Sequence, residues 1–412
     1  MAASIVPIQA FEARKDFADF CHLPNALVLI FGEHFFGVQR SKGHKLLLML
    51  NSVFCLLSQL YCLTFIAKEV FLLIALGVPD LPLLLRLISG LQYAVFALSK
   101  FVCFKWRLKD AADVYMKLME IYPKTSLEHR LYRVIDFFWP KKILIVIYLY
   151  LGSIFFIGIS PLLEGVVMYL VDCLRVGLGN AEFAYIKLYD IPYGFNHRRP
   201  FSYMVTYMME VFHVQFVLIA NVCPDIWLLC FTMQLCMHFN YLARIMEEYE
   251  PDESAPKKDQ QFIAEFVKKH QIVLNIGQNV KDLFSVLLLI VFMSIATTLC
   301  CAGVYTLTQG LGRELLEYCA FLPCAIGNFF LICYYGQQLA TYSEKVADAA
   351  YNHPWYNGSQ SYKKTILIIM IRASRAVELN AYGLKPICLD AFKMLMGESY
   401  RVFAVLKQTM LD

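Results

Sequence analysis

The sequence predicts an all-α membrane protein of seven transmembrane helices, with its N-terminus in the cytoplasm and its C-terminus outside. Three observations carry this reading. Of 412 residues 59% are hydrophobic and only 17% charged, with a mean hydropathy of +0.53, whereas a soluble chain carries roughly a quarter charged residues. Six segments supply the run of about 20 mostly apolar residues that a span needs, and a seventh approaches it. Lys and Arg divide as 23 in the connections of the inner side and 8 in those of the outer side, the asymmetry that orients helical membrane proteins. A net charge of +4 is too small to point to nucleic acid.

Residues 1–45 are read as a cytoplasmic N-terminal segment. Glu12 and Asp16, with no short apolar core before a small-residue cleavage site, do not read as a signal peptide. The stretch from Leu23 to Phe36 is apolar but short and carries Glu33 and His34, which predicts an interfacial helix. Residues 46–239 hold the first four spans: Leu46 to Ile66, Leu81 to Phe104, Ile143 to Leu170 and Phe201 to Phe239. Residues 240–282 extend into the cytoplasm, and 283–337 hold the fifth and sixth spans, Leu283 to Leu307 and Leu315 to Tyr335. Residues 338–382 return to the cytoplasmic layer and include the first half of helix seven. Its second half, in 383–412, is Leu384 to Leu411.

Three of these helices exceed the membrane. Phe201 to Tyr249 runs about 70 Å as one helix against a core of about 30 Å. The surplus lies at the cytoplasmic ends and is amphipathic: Leu242, Ile245 and Tyr249 share one face, and Phe262, Phe266, Val273 and Val280 another. Tyr335, Leu339, Tyr342, Val346 and Ala349 continue the pattern below the sixth span. Stripes of this kind must bury against something, which predicts a packed intracellular anchor, with Pro251 to Pro256 as a short loop joining helices four and five.

No enzyme motif, phosphate-binding glycine loop or specific metal-ligand spacing occurs, and no cofactor is called for. Most of the 14 cysteines fall in apolar runs, where they act as small hydrophobes; Cys230, Cys236 and His238 lie close together and are read as packing. Charged groups inside spans are better clues, because each is costly unless paired or hydrated. Glu164, Glu210 and His213 suggest a partly hydrated cavity opening outward. Arg86 and Lys100 are expected to snorkel to the two interfaces, and Asp225 to satisfy backbone freed by a kink at Pro224.

The outer halves of several spans are aromatic. Tyr93 and Phe96, Phe155 and Phe156, Tyr203, Tyr207 and Phe212, and Tyr318 and Phe321 suit either a pocket for a small hydrophobic ligand or a lipid-facing belt. In the pocket reading Ile159, Val211 and Leu322 complete the site with these rings. The last span carries Lys385, Asp390, Lys393, Glu398, Arg401 and Lys407, so protein or water must surround it, and lining a central pore meets that need. Leu395, Ser399, Phe403, Leu406 and Met410 form one face; Asp390, Lys393, Arg401 and Gln408 form another. Gly383 and Pro386 split helix seven into a cytoplasmic and a membrane half.

Cys333-Tyr334-Tyr335-Gly336, Ala340, Ala349, Tyr351 and Trp355-Tyr356 resemble the end of the sixth helix of insect odorant receptors. Pro386, Leu389, Phe392, Ser399-Tyr400, Phe403 and Leu406 resemble their final helix. Gustatory receptors, which end in Thr-Tyr and a later Gln-Phe, fit less well, and the loop at Pro251 to Pro256 is too short for the odorant co-receptor. The resemblance implies a ligand-specific subunit of a ligand-gated cation channel in a plasma membrane, that of a sensory-neuron dendrite. Its partners are a small volatile odorant, co-receptor subunits in a heterotetramer, lipid and the conducted cations. It implies an odorant pocket among helices two, three, four and six, and a pore stripe of Ser399, Phe403, Leu406 and Lys407. The rival reading, a seven-helix G-protein-coupled receptor, is opposed by the inside start and by the lack of Asp-Arg-Tyr and Asn-Pro-x-x-Tyr. Asn357, in the sequon Asn357-Gly358-Ser359, is expected on a cytoplasmic loop and therefore unglycosylated.

Overall fold

The computed structural model describes residues 16–28, 42–77, 81–139, 141–176, 183–189, 193, 199–308, 313–383 and 385–411. These residues form helices and connections with no strand among them. In chain order the helices are α1 (Phe17–Val28), α2 (Lys42–Ala75), α3 (Leu81–Trp106), α4 (Leu108–Ile121), α5 (Ser126–Tyr132), α6 (Val134–Phe137) and α7 (Lys141–Val176). They continue with α8 (Pro200–Glu247), α9 (Pro256–Thr308), α10 (Arg313–Asn352), α11 (Gln360–Ala373) and α12 (Leu389–Leu411).

Among the described residues α2, α3, α7, α8 and α9 are long and apolar enough to cross a membrane. The protein is a seven-helix membrane bundle, and α10 and α12 complete the seven. α10 packs along α8 and α7, and α12 against α9 and α10. The most apolar stretch of α8 is wholly inside the protein. A helix that is apolar all round has no face to give to water, so it takes the centre, and α2, α3, α7, α9 and α10 surround it. Leu50, Phe71, Ile74 and Val167 remain exposed on the outer helices, the surface that lipid covers.

Below the membrane the amphipathic surpluses pack together as the sequence predicts. Leu242, Phe266, Val273, Val280, Leu339, Val346 and Ala349 are all buried. α8 and α9 cross from span to anchor without a break. Asp259 closes the loop between them, accepting from the Tyr249 hydroxyl at 2.7 Å and the Asp252 N–H at 3.2 Å, while Tyr249 stacks on Phe262 at 3.6 Å. Helix seven is split as predicted. Between α11 and α12 the Ile387 N–H donates to the Leu379 carbonyl at 2.8 Å, and Gly383 turns the chain at φ 76°, where glycine meets no Cβ penalty. The returning segment presses against α10 so closely that a Cβ on Gly336 would collide with the Ile387 carbonyl oxygen.

Three expectations need correction. The N-terminal helix starts at Phe17, before the predicted stretch, and its described part does not lie on an interface. Phe17, Phe20, Cys21 and Leu27 are buried, α1 packs on α8, and Trp139 Nε1 donates to the Phe20 carbonyl at 2.7 Å. The rest of that stretch, 29–36, lies outside the described residues. Lys100 does not snorkel. It is 2% exposed and donates to both oxygens of Asp225, at 2.8 and 2.9 Å, and to the Asn221 carbonyl at 2.5 Å. A carboxylate within reach on α8 makes pairing inside the bundle better than a stretched route to water. The Asp225 carboxylate accordingly takes the Lys100 ammonium and the Asn328 amide, and not backbone freed at Pro224.

Candidate ligand-binding site

In the outer half of the bundle, α3, α7, α8, α9 and α10 enclose a cavity of ≈160 Å³. α3 contributes Ser89, Gly90, Gln92 and Tyr93, α7 Ile157, and α8 Val214, Val217 and Leu218. α9 contributes Thr298 and Cys301, and α10 Phe321. Tyr93 meets Phe321 edge to face, ring centres 5.0 Å apart, and its hydroxyl is hydrogen-bonded to that of Tyr150. Gln92 donates to the Thr298 hydroxyl at 3.1 Å and accepts from the Thr297 hydroxyl at 2.7 Å. The wall is therefore apolar and aromatic with one amide–hydroxyl cluster, the composition of a site for a small, mostly hydrophobic molecule.

The roof comes from the connection between α7 and α8, where Leu188 and Tyr189 line the cavity. Glu210, wholly buried on α8, holds this connection: its carboxylate accepts from the Leu188 N–H at 2.9 Å and the Tyr193 hydroxyl at 2.7 Å. Tyr203 adds a bond to the Ile186 carbonyl at 2.8 Å. Gly165 lets the connection approach α7, since a Cβ there would come within 2.8 Å of the Ala184 carbonyl oxygen. His213 is buried behind the roof, its ring 5.5 Å from that of Tyr189. Further inward, Lys100, Asp225 and Asn328, whose amide donates to Asp225 at 2.8 Å, join α3, α8 and α10.

Of the predicted ligand residues, the structure brings Tyr93 and Phe321 to the cavity. Phe155 is 69% and Phe156 37% exposed on the outer face of α7, positions that face lipid. Tyr207 donates to the Gly158 carbonyl at 2.5 Å and so ties α8 to α7. Phe212 points to the other side of α8, edge-on to Phe54 of α2. Phe96, Ile159, Val211 and Leu322 are half-buried away from the lining, and the side chain of Tyr318 lies outside the described residues. Glu210 and His213 support the roof and do not line the cavity.

Of the predicted pore residues, Ser399 and Phe403 lie on one face of α12 and Lys407 on another. On α12, Ala391 and Leu395 are buried, and Ser399 and Phe403 half-buried, on the face that meets α9 and α10. Phe403 packs over Gly303, where an added Cβ would lie 2.9 Å from its ring. Ser399 and Phe403 are thus turned toward their own bundle. Tyr400, Ala404 and Lys407, spaced by four and three, form an exposed stripe; the Leu406 side chain lies outside the described residues.

A family model described as 7tm Odorant receptor matches residues 84–400. The chain belongs to the odorant receptor family. Odorant receptor 85f of Drosophila melanogaster is 32% identical over 95% of this chain and 97% of that one, and Odorant receptor 49a of the same species is 28% identical over 97% and 99%. The fold matches the insect olfactory receptor OR5 from Machilis hrabei at a TM-score of 0.69 and 16% identity, covering 95% of this chain and all of that one, and a structure of OR5 in complex with eugenol matches equally. As an odorant receptor the chain is a receptor and not an enzyme. In this odorant receptor, sequence reasoning missed Gln92 and Thr298, polar residues within long apolar helices. It also missed Leu188 and Tyr189, which no helical period marks.

Proposed function

We propose that this chain is the ligand-recognising subunit of a ligand-gated cation channel, opened by a small volatile molecule in the outer cavity and assembled with odorant co-receptor subunits in the plasma membrane of a sensory dendrite. The observation that carries this reading is the five-helix cavity itself, whose ≈160 Å³ compares with the about 150 Å³ that takes up one benzene ring. Its rings favour an apolar body, and the Gln92–Thr298 cluster favours one polar group on it.

The same helices reach the final one. Cys301 lines the cavity, and Gly303, two residues on, meets Phe403 of α12. On α10, Phe329 and Phe330 lie 5.9 and 5.4 Å from Phe392 of α12. An occupant that moves α9 or α10 therefore moves α12, and the exposed stripe with Lys407 is this subunit's share of the pore. The test is to express the chain with co-receptor subunits and record current across a panel of volatile compounds. Dose-dependent inward current that needs this chain supports the reading; silence to every compound, with both subunits at the cell surface, removes it.

A further inference from the structure

A second and larger cavity, of ≈430 Å³, opens in the cytoplasmic anchor where the α4–α5 corner meets α8 and α9. Its base is apolar, with Ile121, Leu242 and Val273. One wall is the stacked pair Tyr132 and Tyr241, ring centres 3.8 Å apart. The rim carries Lys124, Lys268 and Lys269 with Glu120, Glu128 and Glu265.

Two of the three carboxylates are already committed. Glu265 pairs with Lys269 at 2.8 Å, and Glu128 accepts the backbone N–H groups of Lys124 and Thr125 at 2.7 and 2.9 Å, which holds its carboxyl below the usual range. Glu120 is the lining carboxylate left uncommitted; the other uncommitted groups are rich in donors. The ammonium groups of Lys124 and Lys268 have no ion-pair partner among the described residues. The hydroxyls of Tyr132 and Tyr241 likewise donate to no described group. His238, 2% exposed in the lining, has a buried Nε2 with no hydrogen-bond partner, a donor when the ring carries its proton there. Buried polar atoms are rarely left so, and several donors around one space call for a ligand with several acceptor oxygens.

We infer that this cavity binds a small phosphate-bearing anion from the cytoplasm. Phosphate groups come from soluble metabolites or from lipid headgroups, and depth favours the former. Arg107, at the inner end of α3, donates to the Asp282 carbonyl of α9 at 2.5 Å, and Lys268 lies about 20 Å further inward along the same helix. An occupant would bridge α5 to α8 and α9, and α9 is the helix whose outer end lines the membrane cavity.

Binding of radiolabelled inorganic pyrophosphate to the purified full-length receptor assembly in phosphatidylcholine nanodiscs tests this. Saturable binding is expected, weakened at least tenfold by Lys124→Ala combined with Lys268→Ala. Tyr241→Phe, which keeps the ring and removes one donor, should weaken it less, and Lys257→Ala, outside the lining, should leave it unchanged. Elution volume and melting temperature of each variant establish that it folds. Absence of saturable binding, or equal affinity in the double-lysine variant, overturns the inference. Displacement of pyrophosphate by nanodiscs containing phosphatidylinositol bisphosphate overturns the soluble source in favour of a lipid headgroup.

Discussion

Lys100 of α3 and Asp225 of α8 form a salt bridge at 2.8 Å with both side chains almost wholly buried, and Asn328 of α10 binds the same carboxylate. Three helices are thereby locked together just inward of the ligand cavity. Removing one partner leaves an unpaired charge in a low-dielectric interior, at a cost of about 3–5 kcal/mol, whereas replacing both by apolar groups is often neutral. Lys100→Met or Asp225→Leu alone is therefore expected to lower surface expression and melting temperature sharply, and the two together to recover most of the loss. Single variants as stable as the parent would show that the pair carries no weight.

Glu210 positions the roof. Glu210→Leu leaves the Leu188 N–H and the Tyr193 hydroxyl without their acceptor, a loss of about 1–3 kcal/mol for each buried group. Ligand potency is expected to fall tenfold or more. Glu210→Gln keeps one acceptor oxygen and should retain much of the response. Equal dose–response curves for the two variants would mean that the roof does not shape the site.

Seven helices, their order, the overlong α8 and α9, and the split of helix seven were all legible, because each leaves a periodic or compositional trace. Apolar run length located the spans, stripes such as Leu339–Tyr342–Val346 located the anchor, and Gly383 and Pro386 located the break. Which face of a span meets protein was not legible. Phe155 and Phe321 look alike in sequence, and only their neighbours separate lipid from cavity. Lys100 was misread for a related reason, since Asp225 lies on another helix and no spacing announces the pair. Leu188 and Tyr189 left no signal, because a connection folded over a cavity has no period.

Protonation should weaken the anchor. His270 is 4% exposed among the packed ends of α8 and α9, and burial, with Arg372 adding to it, pushes its pKa down to about 4. A histidine lowered in this way is held neutral by the fold. Its contribution is complete above the unfolded value of about 6.5 and is lost as pH falls from there toward 4, amounting to on the order of 3 kcal/mol. Melting temperature measured across that window should drop less steeply for His270→Gln than for the parent. Parallel slopes would mean that His270 titrates normally.

On α12, Phe403 and the exposed stripe should behave differently. Phe403→Ala loosens the contact with Gly303 and is expected to shift ligand potency while leaving ion selectivity alone. Lys407→Gln, which removes a positive charge from the proposed pore face, should shift the reversal potential under mixed-cation conditions. Selectivity that follows Phe403 and ignores Lys407 would return the pore to the buried face.

Filling the outer cavity is the most direct measurement. Leu218 lies in its wall, and Leu218→Trp puts an indole into the space a ligand needs, whereas Phe155→Trp changes a ring that already faces outward at 69% exposure. With each variant expressed beside co-receptor subunits, ligand-evoked current should be abolished or reduced at least a hundredfold in potency by Leu218→Trp, with surface level and basal current preserved. Phe155→Trp should respond like the parent. An unchanged dose–response curve in Leu218→Trp would contradict the assignment of this cavity as the ligand site.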